Sequence, residues 1–210
     1  MSLSWEWLGR VDHAACAERQ RARRDAIIAG EAAEVVWCVE HPPTVTVGRR
    51  PAPGTPSPEA LASLGIAFSR TERGGLATWH GPGQLVVYPL ISLWDRRLKV
   101  KDYVYRLEQA TIDWLGTLGV DGARRRCGFP GVWVASDKVA AVGIHIRRGV
   151  SLHGLAINLA PDLAGFGAIV PCGIHDGGVT SVERLCGVAP QVGAAAEEFA
   201  PLVANCLRPH

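Results

Sequence analysis

Lysine is nearly missing from this 210-residue chain: Lys99, Lys101 and Lys138 stand among 22 basic residues, and arginine supplies the other nineteen. Where a fixed positive charge suffices the sequence uses arginine, so a retained lysine points to an amine whose pKa can be brought into a working range. Lys99 and Lys101 lie on the polar approach to a helix and need no such explanation, which leaves Lys138. The chain also lacks any run near the ~18 apolar residues of a membrane span. Glu6 and Arg10 fall where a signal peptide needs an apolar stretch. These absences predict a cytoplasmic protein with no membrane partner.

Paired cysteine spacing is missing as well. Cys16, Cys38, Cys127, Cys172, Cys186 and Cys206 are scattered, which argues against a zinc knuckle or a disulfide framework and leaves free thiols. No two histidines bracket a glutamate at helical spacing, so no metal is expected, and no cofactor is signalled. There is no Walker loop and no dinucleotide fingerprint. The net charge is +2, with arginines dispersed among 20 acids; that excludes the basic face of a nucleic-acid binder.

What is present is an ordinary globular composition, 48% hydrophobic and 20% charged, long enough to bury a sizeable core. A short aromatic strand (4–9) precedes a helix over 13–29 capped by Asp12 and closed by Gly30. The apolar face of that helix is mostly alanine, and Arg19, Arg21, Arg23 and Arg24 are expected to face outward. Strands are expected at 34–40, 44–47, 66–69 and 84–93, with a proline-rich loop and short helix over 51–63. Asp102 is the expected cap of a helix running to Leu118. Three strands follow (131–135, 139–147 and 150–159), then a looser stretch, a helical turn near 179–185, and a last helix at 194–207 containing Pro201. Strands in runs with helices grouped between them indicate an α+β fold with a mixed or antiparallel sheet flanked by helices, as one domain over 1–210.

Four glycines between Arg73 and Gln84 let backbone approach a ligand closely, and Pro82 stiffens the loop. Arg73, Trp79, His80 and Gln84 supply its polar and aromatic groups. Small residues recur at Ala140-Ala141-Val142-Gly143 and in His153-Gly154-Leu155-Ala156-Ile157-Asn158, which would line an apolar slot for an acyl chain. Cys172 lies between proline and glycine, where backbone exposes a nucleophile and the Gly173 amide can hold an oxyanion. Its activating partner is either Lys138, whose cation favours the thiolate, or His80 in a Cys/His arrangement.

Six ordered motifs then resemble the lipoyl(octanoyl) transferases, which share the fold of biotin and lipoate protein ligases. They are Glu40-His41-Pro42-Pro43 with Gly48, Arg73-Gly74-Gly75 through Thr78-Trp79-His80-Gly81-Pro82-Gly83-Gln84, Pro130-Gly131-Val132-Trp133-Val134, Lys138 to Gly143, His153 to Asn158, and Pro171-Cys172-Gly173. The resemblance implies transfer of octanoyl from octanoyl-acyl carrier protein to a lysine of lipoyl domains in 2-oxoacid dehydrogenase complexes or the glycine-cleavage H protein. It implies a Cys172 acyl-thioester with Lys138 lowering the thiol pKa and handling protons. It also implies acyl binding by Arg73, Gly74, Gly75, Leu76, Ala77, Thr78, Trp79 and His80, by Ala141, Val142 and Gly143, and by Gly154, Leu155 and Ala156.

Trp79 stands where the family usually has tyrosine, which removes a hydroxyl and alters the expected slot. Both family partners are acidic, giving Arg49-Arg50 and Arg147-Arg148 an expected docking role. The competing readings are an ATP-dependent lipoate or biotin ligase, which needs no Cys172, and a non-catalytic acyl-binding protein of the same fold.

Overall fold

The computed structural model describes residues 3–50, 54–169 and 177–209. The chain opens with strand β1 (Ser4–Arg10), helix α1 (His13–Ala29), β2 (Val35–Glu40) and β3 (Thr44–Val47). A short α2 (Pro58–Ser63) leads to β4 (Ala67–Arg70), β5 (Ala77–His80) and β6 (Gln84–Leu90). After α3 (Val100–Thr117) come β7 (Arg124–Arg125), β8 (Gly131–Val134), β9 (Asp137–Arg147) and β10 (Val150–Asn158). A 3-10 helix (Leu163–Ala168), α4 (Val182–Cys186) and α5 (Val192–Cys206) complete it.

Seven strands form one mixed sheet in the order β1-β2-β6-β10-β9-β8-β7, with β1 and β2 parallel and the other pairs antiparallel. The fold is α+β, as the strand runs imply. β2 and β6 are buried along their whole length, which is why they read as nearly continuous apolar segments rather than alternating ones. α3 and α5 cover one face, burying Leu85, Val87, Leu107, Trp114, Leu155, Ile157 and Phe199 together. α1 packs on the other face near Trp37, Val86, Tyr88, Leu152 and Ala156. A second, three-stranded sheet, β4-β3-β5, has its own small core of Val45, Val47, Leu61, Ala77, Trp79 and Phe166.

Two local expectations are corrected. α1 is capped by Asp12 Oδ1, which accepts from Ala15 N at 2.9 Å, and closed by Gly30 at φ 76°. Its inward face, however, is polar: His13, Gln20 and Arg24 are buried beside Cys16 and Ala17. Arg24 therefore does not face outward with Arg19; its Nε donates to Asp25 Oδ1 at 2.9 Å. In α3 the N-cap is Lys99 without a side-chain cap bond, and Asp102 sits inside the first turn, where its carboxylate complements the helix dipole instead of capping it.

Candidate functional site

The site lies on the sheet face that carries α1, between that face and the small sheet. In the β10–β9 pairing Gly154 stands opposite Gly143, Leu155 opposite Val142, and Ala156 opposite Ala141. The small residues expected to line a slot are thus neighbours on two adjacent strands. Above them the turn 73–75 is tied down by Gly74 N donating to the Ile144 carbonyl at 3.0 Å. Arg73 holds the small sheet in place, its Nη2 donating to the Thr46 carbonyl at 2.7 Å.

The resulting cavity encloses about 530 Å³ with its mouth included, and Arg73, Gly74, Gly75, Thr78, His80, Lys138, Ala141, Val142, Gly143, Gly154, Leu155 and Ala156 all line it. His153, from the stretch expected to line the slot, lines it too, and three lining residues that sequence reasoning did not assign are His13, Val86 and Tyr88. Helical spacing carried a signal for the first: His13, Cys16, Gln20 and Arg24 recur along one face of α1. Val86 and Tyr88 alternate along β6 within an unbroken apolar run, which hides the face they share.

Leu76, Ala77 and Trp79 do not line this cavity. Ala77 and Trp79 alternate with Thr78 and His80 along β5, so their side chains enter the small core on the opposite face. The Trp79 ring lies 5.3 Å from Phe166. It leaves no room for a Cβ at Gly81 or Gly165, which would come within 2.1 Å and 2.3 Å of indole atoms. The missing tyrosine hydroxyl thus concerns the small core, not the wall of the slot.

Lys138 is buried, with 7% of its surface exposed. The turn lies at Ala135-Ser136, and Lys138 pairs with Trp133 in the β8–β9 ladder. Its Nζ donates to the Pro130 carbonyl at 3.1 Å and sits 4.7 Å from the Trp133 ring centroid. Its backbone is bonded on both sides to the segment 178–180: Lys138 N donates to the Gly178 carbonyl and Thr180 N donates to the Lys138 carbonyl, each at 3.0 Å. Cys172, with the rest of 170–176, lies outside the described residues.

His80 is part of a buried imidazole group rather than an exposed base. Its ring is 5.8 Å from His13 and 5.9 Å from His41. Burial, then the neighbouring His13 and His41, push its pKa well below the usual histidine range. Gln84 Nε2 donates to Asn158 Oδ1 at 2.8 Å, so its Oε1 accepts from His80 Nδ1 at 2.6 Å. Asn158 Nδ2 in turn donates to the Thr180 carbonyl at 3.0 Å. This chain of amides joins the His80 side of the slot to the segment that flanks Lys138. His41 Nδ1 donates to the Val11 carbonyl at 2.7 Å, which leaves Nε2 to accept from the Tyr88 hydroxyl at 2.9 Å.

Among the described residues no group of three histidine, cysteine or carboxylate side chains is arranged to hold a metal ion. None of the described helices is long and apolar enough to cross a membrane. What the arrangement offers is a mostly apolar slot with an ammonium at one end and uncharged imidazoles at the other.

A family model described as the lipoyl protein ligase A/B catalytic domain matches residues 12–205. An octanoyltransferase of Chloroflexus aggregans is 40% identical over 197 residues, covering 91% of this chain and 89% of that protein. An octanoyltransferase of Bradyrhizobium sp. is 45% identical over 186 residues, covering 84% and 75%. Among solved structures, the bi-partite lipoate protein ligase of Thermoplasma acidophilum is similar at a TM-score of 0.71 and 18% identity, covering 99% of this chain and 81% of that one. The biotin protein ligase of Aquifex aeolicus follows at 0.58 and 13%, covering 97% and 70%. These two likenesses describe the fold.

Proposed function

The chain belongs to the lipoyl protein ligase A/B catalytic-domain family, and from that premise we propose how its slot carries out acyl transfer. The protein is an octanoyltransferase of protein lipoylation, as its curated relatives are over most of their length. Lipoyl domains are its acceptors. The finer reading concerns donor, intermediate and residues.

In this reading the donor is octanoyl-acyl carrier protein. The Cys172 thiolate attacks the donor's thioester carbonyl, the carrier's thiolate leaves and takes a proton from the Lys138 ammonium, and an octanoyl-Cys172 thioester forms with Lys138 left as a neutral amine. One thioester replaces another of similar energy, so no ATP is consumed. The amine of the acceptor lysine then attacks that thioester, an amide forms, Cys172 departs as thiolate, and Lys138 takes the proton shed by the amine. Acceptors are the lipoyl domains of 2-oxoacid dehydrogenase complexes and the glycine-cleavage H protein, and the compartment is the cytoplasm. The octanoyl tail occupies the slot, with Arg73, Gly74, Gly75, Thr78 and His80 as one wall and Ala141, Val142, Gly143, Gly154, Leu155 and Ala156 as floor.

The observation that carries the reading is the position of Lys138. It opens onto the slot, and its backbone is bonded to Gly178 and Thr180, only a few residues after Cys172. Gly178 follows Cys172 by six positions in the sequence. Arg49, Arg50, Arg147 and Arg148 are exposed and supply positive charge for docking acidic partners. Reversing those four charges should slow association and flatten its salt dependence; unchanged rates would remove the docking role.

Incubation with octanoyl-acyl carrier protein in the absence of ATP, followed by intact mass, tests the intermediate. The wild type should gain one octanoyl group, and Cys172→Ser should not. A wild-type mass that stays unmodified while octanoyl still reaches the lipoyl domain would overturn the thioester. Lys138→Arg keeps the charge but not the tunable amine and should lose most activity.

A further inference from the structure

The slot has a direction. A second hollow, open to solvent and lined by Arg50, Phe129, Pro130 and Ile144 among others, shares Gly74, Gly75, Lys138, Val142 and Gly143 with it. Those shared residues are the threshold, and they lie on β9 and on the 73–75 turn above it. The opposite end is closed by His13 of α1 and by Val86 and Tyr88 of β6, all at most 3% exposed. The slot therefore runs across the strands, from β9 over β10 to β6.

The pairing registers give the floor of that path. Ala141 of β9 stands opposite Ala156 of β10, which stands opposite Val86 of β6. Side-chain size rises along the row: two single methyl groups, then a branched isopropyl. A parallel track passes over the facing pair Gly143 and Gly154, and Tyr88, two residues along β6 from Val86, stands at its inner end. His13 completes the wall, and burial and the nearby His41 hold it uncharged, with a pKa of about 3. Two interstrand spacings amount to about 9.6 Å. An extended eight-carbon acyl chain spans about 9 Å at standard carbon–carbon bond lengths.

We infer that Val86, backed by Tyr88 and His13, is the stop that sets acyl chain length: the row Ala141, Ala156, Val86 is a ruler two strands long that ends after eight carbons. The inference rests on the acyl-slot reading of the preceding section and adds to it the residue that reads the tail. Trp79, which stands where the family usually has tyrosine, lies off this path and plays no part in chain length.

The test is a comparison of hexanoyl, octanoyl, decanoyl and dodecanoyl thioesters of acyl carrier protein, each transferred to a lipoyl domain, for wild type, Val86→Ala and Val86→Ile. Each enzyme serves as its own reference, so a general loss of activity cancels in the ratios. Burial of one methylene is worth about fourfold, so Val86→Ala, which clears room for the two extra methylenes of decanoyl, should raise the decanoyl-to-octanoyl ratio of kcat/KM about fifteenfold. Val86→Ile should shift the preference toward hexanoyl by about fourfold. His13→Ala, which opens the same wall from the helix, should raise the decanoyl ratio as Val86→Ala does and replaces it if that variant does not fold. A wild type that transfers octanoyl, with variants whose ratios stay within twofold of it, overturns the ruler alone. A wild type that transfers no acyl chain overturns the slot reading and the ruler together.

Discussion

Trp133 presents its indole to the ammonium of Lys138, with Nζ 4.7 Å from the ring centroid. The indole is fully buried and fixed by Nε1 donating to the Phe129 carbonyl at 3.1 Å. A desolvated cation–π contact contributes about 2 kcal/mol, enough to hold a flexible lysine in one place at the mouth of the slot. Trp133→Leu should therefore slow acyl transfer about 10- to 30-fold through kcat, whereas Trp133→Phe, which keeps an aromatic face, should retain most activity. Melting temperatures of the two variants separate this from the cost of cavity formation, which Trp133→Leu also incurs.

A carboxylate stands one step behind the same lysine. Glu108 of α3 is buried, and its Oε1 accepts from Gly131 N at 2.8 Å while Oε2 lies 3.2 Å from Arg125 Nε. The Pro130–Gly131 peptide is thereby oriented so that its carbonyl receives Lys138 Nζ. Glu108→Ala leaves that buried amide without an acceptor and should cost about 1–3 kcal/mol of stability, together with a fall in kcat. Glu108→Gln keeps an acceptor and should recover kcat more fully than stability, because the ion pair with Arg125 is lost. Urea unfolding and steady-state kinetics on both variants check the split.

Much of this site is legible in the sequence because glycine and alanine at close spacing have few other uses in a strand. Gly143, Gly154, Ala141 and Ala156 stand out on that ground, and the pairing of β9 with β10 brings them side by side. Lysine scarcity likewise picks out Lys138. The rest follows from contacts between segments far apart in the chain. Helical spacing puts His13, Cys16, Gln20 and Arg24 on one face of α1, but nothing local to the helix says that so polar a face turns inward. It does so because Gln20 Oε1 accepts the backbone N–H of His153 at 3.0 Å, a residue held at φ 61° in mid-strand. Trp79 escapes a sequence reading for a related reason: β5 belongs to the small sheet, so the alternation that points Thr78 and His80 at the slot points Ala77 and Trp79 away from it.

The two facing glycines should respond differently to the same added methyl. At Gly154 a Cβ would stand 2.0 Å from the Val87 carbonyl oxygen, which is backbone of the central strand β6 and cannot move aside. Gly154→Ala should destabilise the fold by about 3 kcal/mol or more. At Gly143 the nearest atom is Arg73 Cδ at 3.1 Å, part of a side chain that yields by a few tenths of an ångström. Gly143→Ala should leave stability within about 1 kcal/mol and instead raise KM for the acyl donor, since its methyl narrows the threshold. Thermal unfolding with donor titration separates the two outcomes.

The imidazoles behind the slot predict an acid sensitivity of folding. His13 has its pKa lowered from 6.5 to about 3, chiefly by burial and then by His41. His153 is lowered to about 4, again chiefly by burial, with Glu72 opposing the shift and Arg73 adding to it. His41 and His80 are depressed in the same direction. Below pH 6.5 the unfolded chain binds protons that the folded chain refuses, so the unfolded state holds more protons and stability rises with pH across this window. Above pH 6.5 both states are neutral at these positions and the dependence vanishes. Acidification from pH 7 to pH 5 should thus remove on the order of a few kcal/mol, since each shifted unit is worth about 1.4 kcal/mol per group, and the loss should continue toward pH 4. His13→Leu removes one of these groups. Its unfolding free energy, measured in urea at pH 7 and pH 5, should fall less steeply than that of the wild type, and an unchanged slope would mean that His13 is protonated in the fold.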